Sequence, residues 1–255
     1  LHDRYRIRRF DIVDDIFNFE RDRARAILAG VRDQLPDCEL YFPNGLRGDI
    51  LDEETIRLLG QARTRFVCIA IETASDRLQK LLKKNINIGK VAHNLRLLKE
   101  QGIVVAVFFM VGLPTETSAE LEATFALIEQ LPLDWPWISI AIPYGNTGLW
   151  SYVNGTRVAE ADIERLDPRL GWAEGNLSGI PSAQLRKRIN RTTLRHFIKS
   201  GHFARIIAAK ASWWGPTYLL CGVLKATAPA PLRKYYARLL RNQYAGRDLD
   251  FGDGG

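Results

Sequence analysis

The sequence predicts a parallel α/β protein: a partial TIM-like (β/α) barrel with its N-terminal unit missing, followed by a helical, basic C-terminal extension. Three observations carry this. Short apolar runs rich in β-branched and aromatic residues alternate with helical patterns. Several of the runs are near-continuously apolar, as strands covered on both faces of a parallel sheet are. Strand starts recur roughly every 30 residues, the length of one βα unit. The alternation stops near residue 150, short of the about 250 residues that a closed barrel of eight units needs. The expected division is therefore residues 1–150 for the barrel and 151–255 for the extension.

In chain order, Leu1–Tyr5 reads as the end of a helix feeding the first strand, Ile7–Val13 (IRRFDIV), so at least one βα unit is expected upstream. Arg21–Gln34 (RDRARAILAGVRDQ) has the composition of a helix. The second strand is Glu39–Phe42, and Asp52 is placed to N-cap a helix over Glu53–Ala62. Phe66–Ile71 (FVCIAI) is the third strand. Ile88–Gln101 is helical, and Gly102 supplies the stop just past its end. Val104–Val111 (VVAVFFMV) is the fourth strand, and Thr117 with Glu120 makes a capping box that opens a helix running to Gln130. Trp137–Ile142 (WISIAI) is the fifth strand. Beyond Asn146 the pattern turns to basic amphipathic helices, Ser182–Ser200 and Pro231–Gln243. The apolar stretch Ile206–Ala226 between them is broken by Lys210, Pro216 and Lys225. A spanning helix wants about 20 mostly apolar residues, so this stretch reads as a packing or interfacial segment.

Composition bounds the function. At 255 residues, 46% hydrophobic and 25% charged, the chain can bury one sizeable core. The net charge of +7 is uneven: residues 181–255 carry 14 Lys and Arg against 3 Asp and Glu. That tail suits an anionic membrane surface or a solvated helix face, and no nucleic-acid partner is expected. Its aromatics, Trp213, Trp214, Tyr235 and Tyr236, read as packing anchors rather than base-stacking platforms. The three cysteines, Cys38, Cys68 and Cys221, lie far apart in apolar runs, which excludes a disulfide framework and a C-x-x-C metal site. His2, His93, His196 and His202 have no metal-ligand spacing, so no metal ligand is expected from this chain. No G-x-S-x-G elbow, Walker loop or dinucleotide fingerprint is present. The charged opening LHDRYRIRRF has no apolar core of a signal peptide and no initiator Met, so a cytoplasmic fragment or processed chain is expected.

In parallel α/β barrels, ligands lie on the loops that follow the strands. Those loops carry Asp14–Asp15, Asn44–Gly45–Leu46–Arg47, Glu72–Thr73, Gly112–Leu113–Pro114–Thr115–Glu116–Thr117, and Pro143–Tyr144–Gly145–Asn146–Thr147. Asp14–Asp15 suits an ammonium group or a cation, or caps the next helix. Glu72, directly after an apolar strand, needs a partner: a cationic ligand or Arg47. Gly112 permits close backbone approach to a ligand.

Taken in order, FDIVDDIF (10–17), Arg47–Gly48–Asp49 with Asp52–Glu53, VCIAIETAS (67–75), FFMVGLPTET (108–117) and IPYGNTGLW (142–150) resemble the radical S-adenosylmethionine (SAM) superfamily. The likeness is to its branch with an N-terminal cobalamin-binding domain, and it spans about residues 5–150. The resemblance implies a partial barrel of six βα units and a 4Fe–4S cluster held by a C-x-x-x-C-x-x-C loop. It implies SAM cleaved to a 5′-deoxyadenosyl radical, and in some members methyl transfer from cobalamin. By position, it implies that Asp14 and Asp15 meet the methionyl part of SAM. Arg47, Glu72 and Thr73 would contact ribose and carboxylate, and Gly112, Pro114, Glu116 and Thr117 would flank adenine and ribose. The cluster loop is absent from this sequence, and Ala70, Thr73 and Thr115 replace residues usual in the family's motifs. The resulting expectation is the SAM- and substrate-binding part of a radical SAM oxidoreductase or methyltransferase, inactive alone. Its cluster ligands and cobalamin domain would lie outside the chain. The alternative is a non-catalytic barrel binding module that has lost the cluster.

Overall fold

The computed structural model describes residues 2–142, 149 and 176–198. All belong to the first of two units into which the chain divides, Leu1–Ala211 and Ser212–Gly255. The predicted turn 143–147, the apolar stretch 206–226 and the helix 231–243 lie outside the described residues, as do Cys221, His202, Trp213, Trp214, Tyr235 and Tyr236.

The described elements are α1 (His2–Tyr5), β1 (Arg9–Asp11), α2 (Arg21–Gln34), β2 (Glu39–Leu46), α3 (Glu53–Gln61), β3 (Thr64–Glu72), α4 (Asp76–Leu81), α5 (Ile88–Glu100), β4 (Val104–Val111), α6 (Ser118–Gln130), β5 (Trp135–Ile140) and α7 (Ser182–Ile198). The strands form one sheet in the order β1-β2-β3-β4-β5, and every neighbouring pair is parallel. Among the described residues β1 and β5 are edge strands, so the sheet is open. This is the partial (β/α) barrel expected from the alternation.

One hydrophobic core explains the winding. Val67, Ile69 and Ile71 of β3 and Val105, Val107, Phe109 and Val111 of β4 join Leu28 of α2, Ile56 and Leu59 of α3, Leu95 of α5, Phe125 of α6 and Leu185 of α7 in a single buried cluster. These strand residues alternate along the chain, so they share one face of the sheet. The long described helices therefore cover that same face, as in a barrel, rather than both faces, as in a doubly wound sheet. The opposite face carries Phe108, Trp135 and Trp137. Trp137 stacks with Trp135 at 5.7 Å between ring centroids and meets Phe108 edge-on at 5.5 Å.

Local signals hold where they carry a mechanism. The Asp52 side chain accepts from Thr55 N–H at 2.9 Å and opens α3. Thr117 and Glu120 form the complete capping box of α6. Gly102, at φ 77°, ends α5. β2 differs from its expected bounds, running on to Leu46. Phe42 pairs with Val67 and Leu46 with Ile69, so Pro43–Gly45 bulge out of the ladder. Pro and Gly, read as strand terminators, are accommodated by that bulge. The short helix α4 has no periodicity to announce it, and Ser75 caps it by accepting from Leu78 N–H at 3.2 Å.

At the amino end of the strands, buried Asp134 accepts from Val105 N–H and from Lys99 Nζ, both at 3.0 Å. This ties α5 to the starts of β4 and β5. The basic helix α7 packs on this unit: Leu185 is buried, and Arg188 and Arg195 pair with Glu122 and Glu129 of α6. Among the described residues no helix is long and apolar enough to cross a membrane.

Candidate functional site

With all strands parallel, their carboxyl ends lie along one edge, and the residues singled out from the sequence follow those ends. Side-chain bonds knit the successive loops into a rim. Asn18, after β1, donates from Nδ2 to Arg47 O at 2.9 Å and accepts from Arg47 N–H at 2.9 Å. Asn44 donates to Val13 O at 2.8 Å. The first two loops are thus fastened to each other.

Arg47 and Glu72 do not pair directly. The Arg47 guanidinium holds Asp49 at 2.9 Å and reaches Lys84 O at 3.4 Å, while Lys84 Nζ lies 3.2 Å from Glu72 Oε1. Pairing with Asp49 holds the Arg47 guanidinium above its ordinary range. Lys84, which sequence reasoning missed, therefore joins the ends of β2 and β3. It sits between two residues of positive φ, Lys83 at 54° and Asn85 at 47°. The only sequence hint was a polar KKN turn between two helical patterns.

Glu72 is itself strained. It is 9% exposed and adopts φ 72°, the left-handed region that a β-carbon disfavours. The ladder to β4 slips between Ala70 and Glu72. Buried Gln79 secures this kink, donating to Ile71 O at 2.5 Å and Thr73 O at 2.8 Å. Thr73 is fully buried; its hydroxyl meets Thr124 Oγ1 and accepts from Ser75 N–H, each at 3.2 Å. A backbone strained and over-determined in this way is characteristic of ligand clamps.

The β4–α6 turn is built around Glu116. Its Oε2 accepts from Gly112 N–H at 2.6 Å and from Leu113 N–H at 3.3 Å, whereas Oε1 is buried with no hydrogen-bond partner among the described residues. Burial pushes this carboxyl up to about 7, against the lowering effect of the two N–H groups. Gly112 has φ 74°, and a β-carbon there would meet Asn176 Oδ1 at 3.1 Å, Ile140 at 3.2 Å and Leu185 at 3.3 Å. Its carbonyl accepts from Leu177 N–H at 2.9 Å. The space beside Gly112 is thus filled by residues of this chain. Pro114 is buried and Thr117 is the exposed cap of α6.

Arg77 crosses from α4 to this turn, donating to Thr115 Oγ1 and Glu120 Oε2, both at 2.8 Å. Its pairing with Glu120, first among several bonds, holds that carboxyl far below the usual carboxylate range. Asp14 pairs with Arg23 of α2 at 2.8 Å, and Asp15 is exposed. The structure therefore brings Arg47 and Glu72 together through Lys84, and sets Gly112, Pro114, Glu116 and Thr117 in one turn. Asp14 is held by Arg23 of α2.

Neither described cysteine offers an iron ligand at this rim. Cys38 precedes β2 at the opposite end of the strands, and Cys68 lies in the middle of β3. Both are buried, and burial raises both thiols.

Residues 36–128 match the model of the radical SAM superfamily. The chain is 27% identical over 152 residues to an uncharacterized methyltransferase of Pyrococcus horikoshii, covering 60% of this chain and 33% of that protein. It is 32% identical over 136 residues to a putative methylthiotransferase of Methanocaldococcus jannaschii, covering 53% of this chain and 30% of that protein. It thus spans about a third of the length of these relatives. Among solved structures it resembles the radical S-adenosylmethionine methyltransferase TsrM of Kitasatospora setae, determined with cobalamin and a [4Fe-4S] cluster bound. The TM-score is 0.53 at 20% identity, covering 60% of this chain and 32% of that one. This last likeness shows a shared fold.

Proposed function

We propose that this chain, which carries the radical SAM superfamily domain matched by residues 36–128, forms the SAM- and substrate-binding part of an enzyme of methyl transfer or related radical chemistry. The observation that carries the reading is Glu72. It is a buried carboxylate in left-handed backbone at a strand's carboxyl end, faced by the Lys84 ammonium and braced by Gln79. A carboxylate beside an ammonium offers an acceptor for ribose hydroxyls and a cation for the carboxylate of SAM, and Arg47 adds a second cation close by. These residues fit SAM, which supplies the transferable methyl group or the one-electron chemistry when bound.

In this reading Arg47, Glu72 and Thr73 serve ribose and carboxylate, and Asp14 and Asp15 serve the methionyl end. The 112–117 turn, with Gly112, Pro114, Glu116 and Thr117, flanks adenine and ribose. Thr73 and Thr117 act by holding backbone through their hydroxyls, and Glu116 does so through Oε2. The described cysteines do not fit a 4Fe–4S cluster, so its ligands, and any cobalamin site, fall outside these residues. We place the enzyme in the cytoplasm. The barrel is assigned to residues 1–150, and the basic helices beyond it meet a membrane surface peripherally rather than nucleic acid.

The test is equilibrium dialysis of radiolabelled SAM against the purified chain. Saturable binding that Glu72→Gln weakens at least tenfold is expected, with folding confirmed by circular dichroism. No saturable binding, or binding that Glu72→Gln leaves unchanged, overturns the reading. The cysteine deficit favours one alternative, a binding module without catalysis. Anaerobic supply of iron and sulfide separates the two: SAM cleavage marks an enzyme, and binding without cleavage marks a module.

A further inference from the structure

The amino end of the strands, opposite the rim, holds a second group of chemistry-bearing side chains. His2 of α1 and Asp37 and Cys38, which lead into β2, bring one ring nitrogen, one carboxylate oxygen and one thiol within 4.8 Å of one another. His2 Nε2 lies 2.9 Å from Asp37 Oδ1, and Cys38 Sγ lies 3.9 Å from the same oxygen. In sequence the histidine and the aspartate are 35 residues apart, so no linear spacing reveals the group.

The surrounding bonds turn these atoms toward one another. Asp3 Oδ1 binds His2 Nδ1 at 2.7 Å, leaving Nε2 toward Asp37 and Cys38. Arg8 pairs with Asp37 through Oδ2, leaving Oδ1 toward His2 and Cys38. Carboxylate support behind a ligating imidazole, and a hydrogen bond on the outer oxygen of a ligating carboxylate, are the outer-shell features of metal sites. Nitrogen, oxygen and sulfur together suit a borderline cation such as Zn²⁺, with three protein ligands and a fourth position for water.

We propose that His2, Asp37 and Cys38 form a binding site for a divalent cation of the zinc type, which ties α1 to the start of β2. A ligand pair at tetrahedral zinc is separated by roughly 3.3–3.5 Å, given metal–ligand bonds of about 2.0–2.3 Å. The 2.9 Å pair is slightly shorter than this and the 3.9 Å pair slightly longer, so binding needs only small shifts of these side chains. The site is independent of SAM binding at the rim.

Metal-stripped protein is titrated with Zn²⁺ against a chromophoric chelator, and with Co²⁺ for its thiolate-to-metal absorbance. One equivalent is expected, with a thiolate band that Cys38→Ser removes. His2→Ala, on a partly exposed side chain where folding is not at stake, is expected to weaken binding at least about a hundredfold. Asp3→Asn is expected to weaken it about tenfold, the effect of losing outer-shell support. Zinc is expected to raise the thermal midpoint of the natural sequence but not of His2→Ala. Absence of stoichiometric binding, or weak binding that persists in His2→Ala and Cys38→Ser, overturns the proposal.

Discussion

The helix-facing side of the sheet and the rim at its carboxyl end bury different things. Between sheet and helices the chain buries Val, Ile, Leu and Phe from β2, β3 and β4 and from the described helices except the short α1 and α4, with Phe10 of β1 and Ile138 and Ile140 of β5 packed half-buried against them. At the rim it buries Glu72, Thr73 and Glu116, and Glu72, Gly112 and Thr115 adopt left-handed backbone. The first region follows the rule that apolar area removed from water stabilises. The second breaks local rules at several adjacent points, which is where a folded chain places a ligand. In the proposed reading stability and ligand binding occupy separate layers, so substitutions should separate them too.

The largest expected effect falls in the core. Phe109→Ala leaves a cavity under β4 and is expected to cost about 3–5 kcal/mol, read by urea denaturation. SAM affinity of the remaining folded fraction should be unchanged. Gly112→Ala comes next, because it imposes left-handed strain and crowds Asn176, Ile140 and Leu185. A loss of about 1–2 kcal/mol or more is expected, and an unchanged midpoint would contradict the packing described.

Glu72→Gly sharpens the comparison further. Glycine removes the strain at φ 72° but also the pair with Lys84. The net change in stability is expected to stay within about 1 kcal/mol, while SAM binding falls at least tenfold. A large destabilisation would move Glu72 from the functional layer to the structural one.

The smallest effect is a pH dependence. Glu116 has an ordinary value of 4.5 raised to about 7 by burial. The folded state therefore holds this proton more tightly than the unfolded chain. The resulting stability is fully present below about pH 4.5 and is lost as pH rises through about 7. Glu116→Gln should flatten the denaturation midpoint across that window, as followed by urea titration at successive pH values. Glu120 has the opposite sign: its carboxyl is held low by Arg77, so its contribution is present above its ordinary value and fades only in strong acid.

Much of the fold was legible because its signals are local. α2 and β4 have the bounds their sequences suggested, and the caps Asp52, Thr117 and Gly102 act as their chemistry requires. β2 was cut short because Pro43 and Gly45 stop a strand by propensity, whereas a bulge lets this one continue. At the site, the strand-end position of Arg47, Glu72 and Gly112 could be read from the apolar runs before them. Their partners could not. Lys84 lies 12 residues beyond Glu72 in a turn of no clear pattern, and its ammonium meets Glu72 only through the folded path of α4. Asn176 and Leu177 close over Gly112 from more than 60 residues away. Long-range closure of this kind leaves no periodic trace.

The central claim is that ligand recognition resides at the carboxyl rim. It is tested most directly by amide chemical-shift mapping of the ¹⁵N-labelled chain titrated with S-adenosylhomocysteine, which needs no cluster. The largest saturable shifts are expected at Arg47, Glu72, Lys84 and Gly112, and Glu72→Gln should diminish them together. Shifts confined to the amino end of the strands, or none that saturate, would contradict the account.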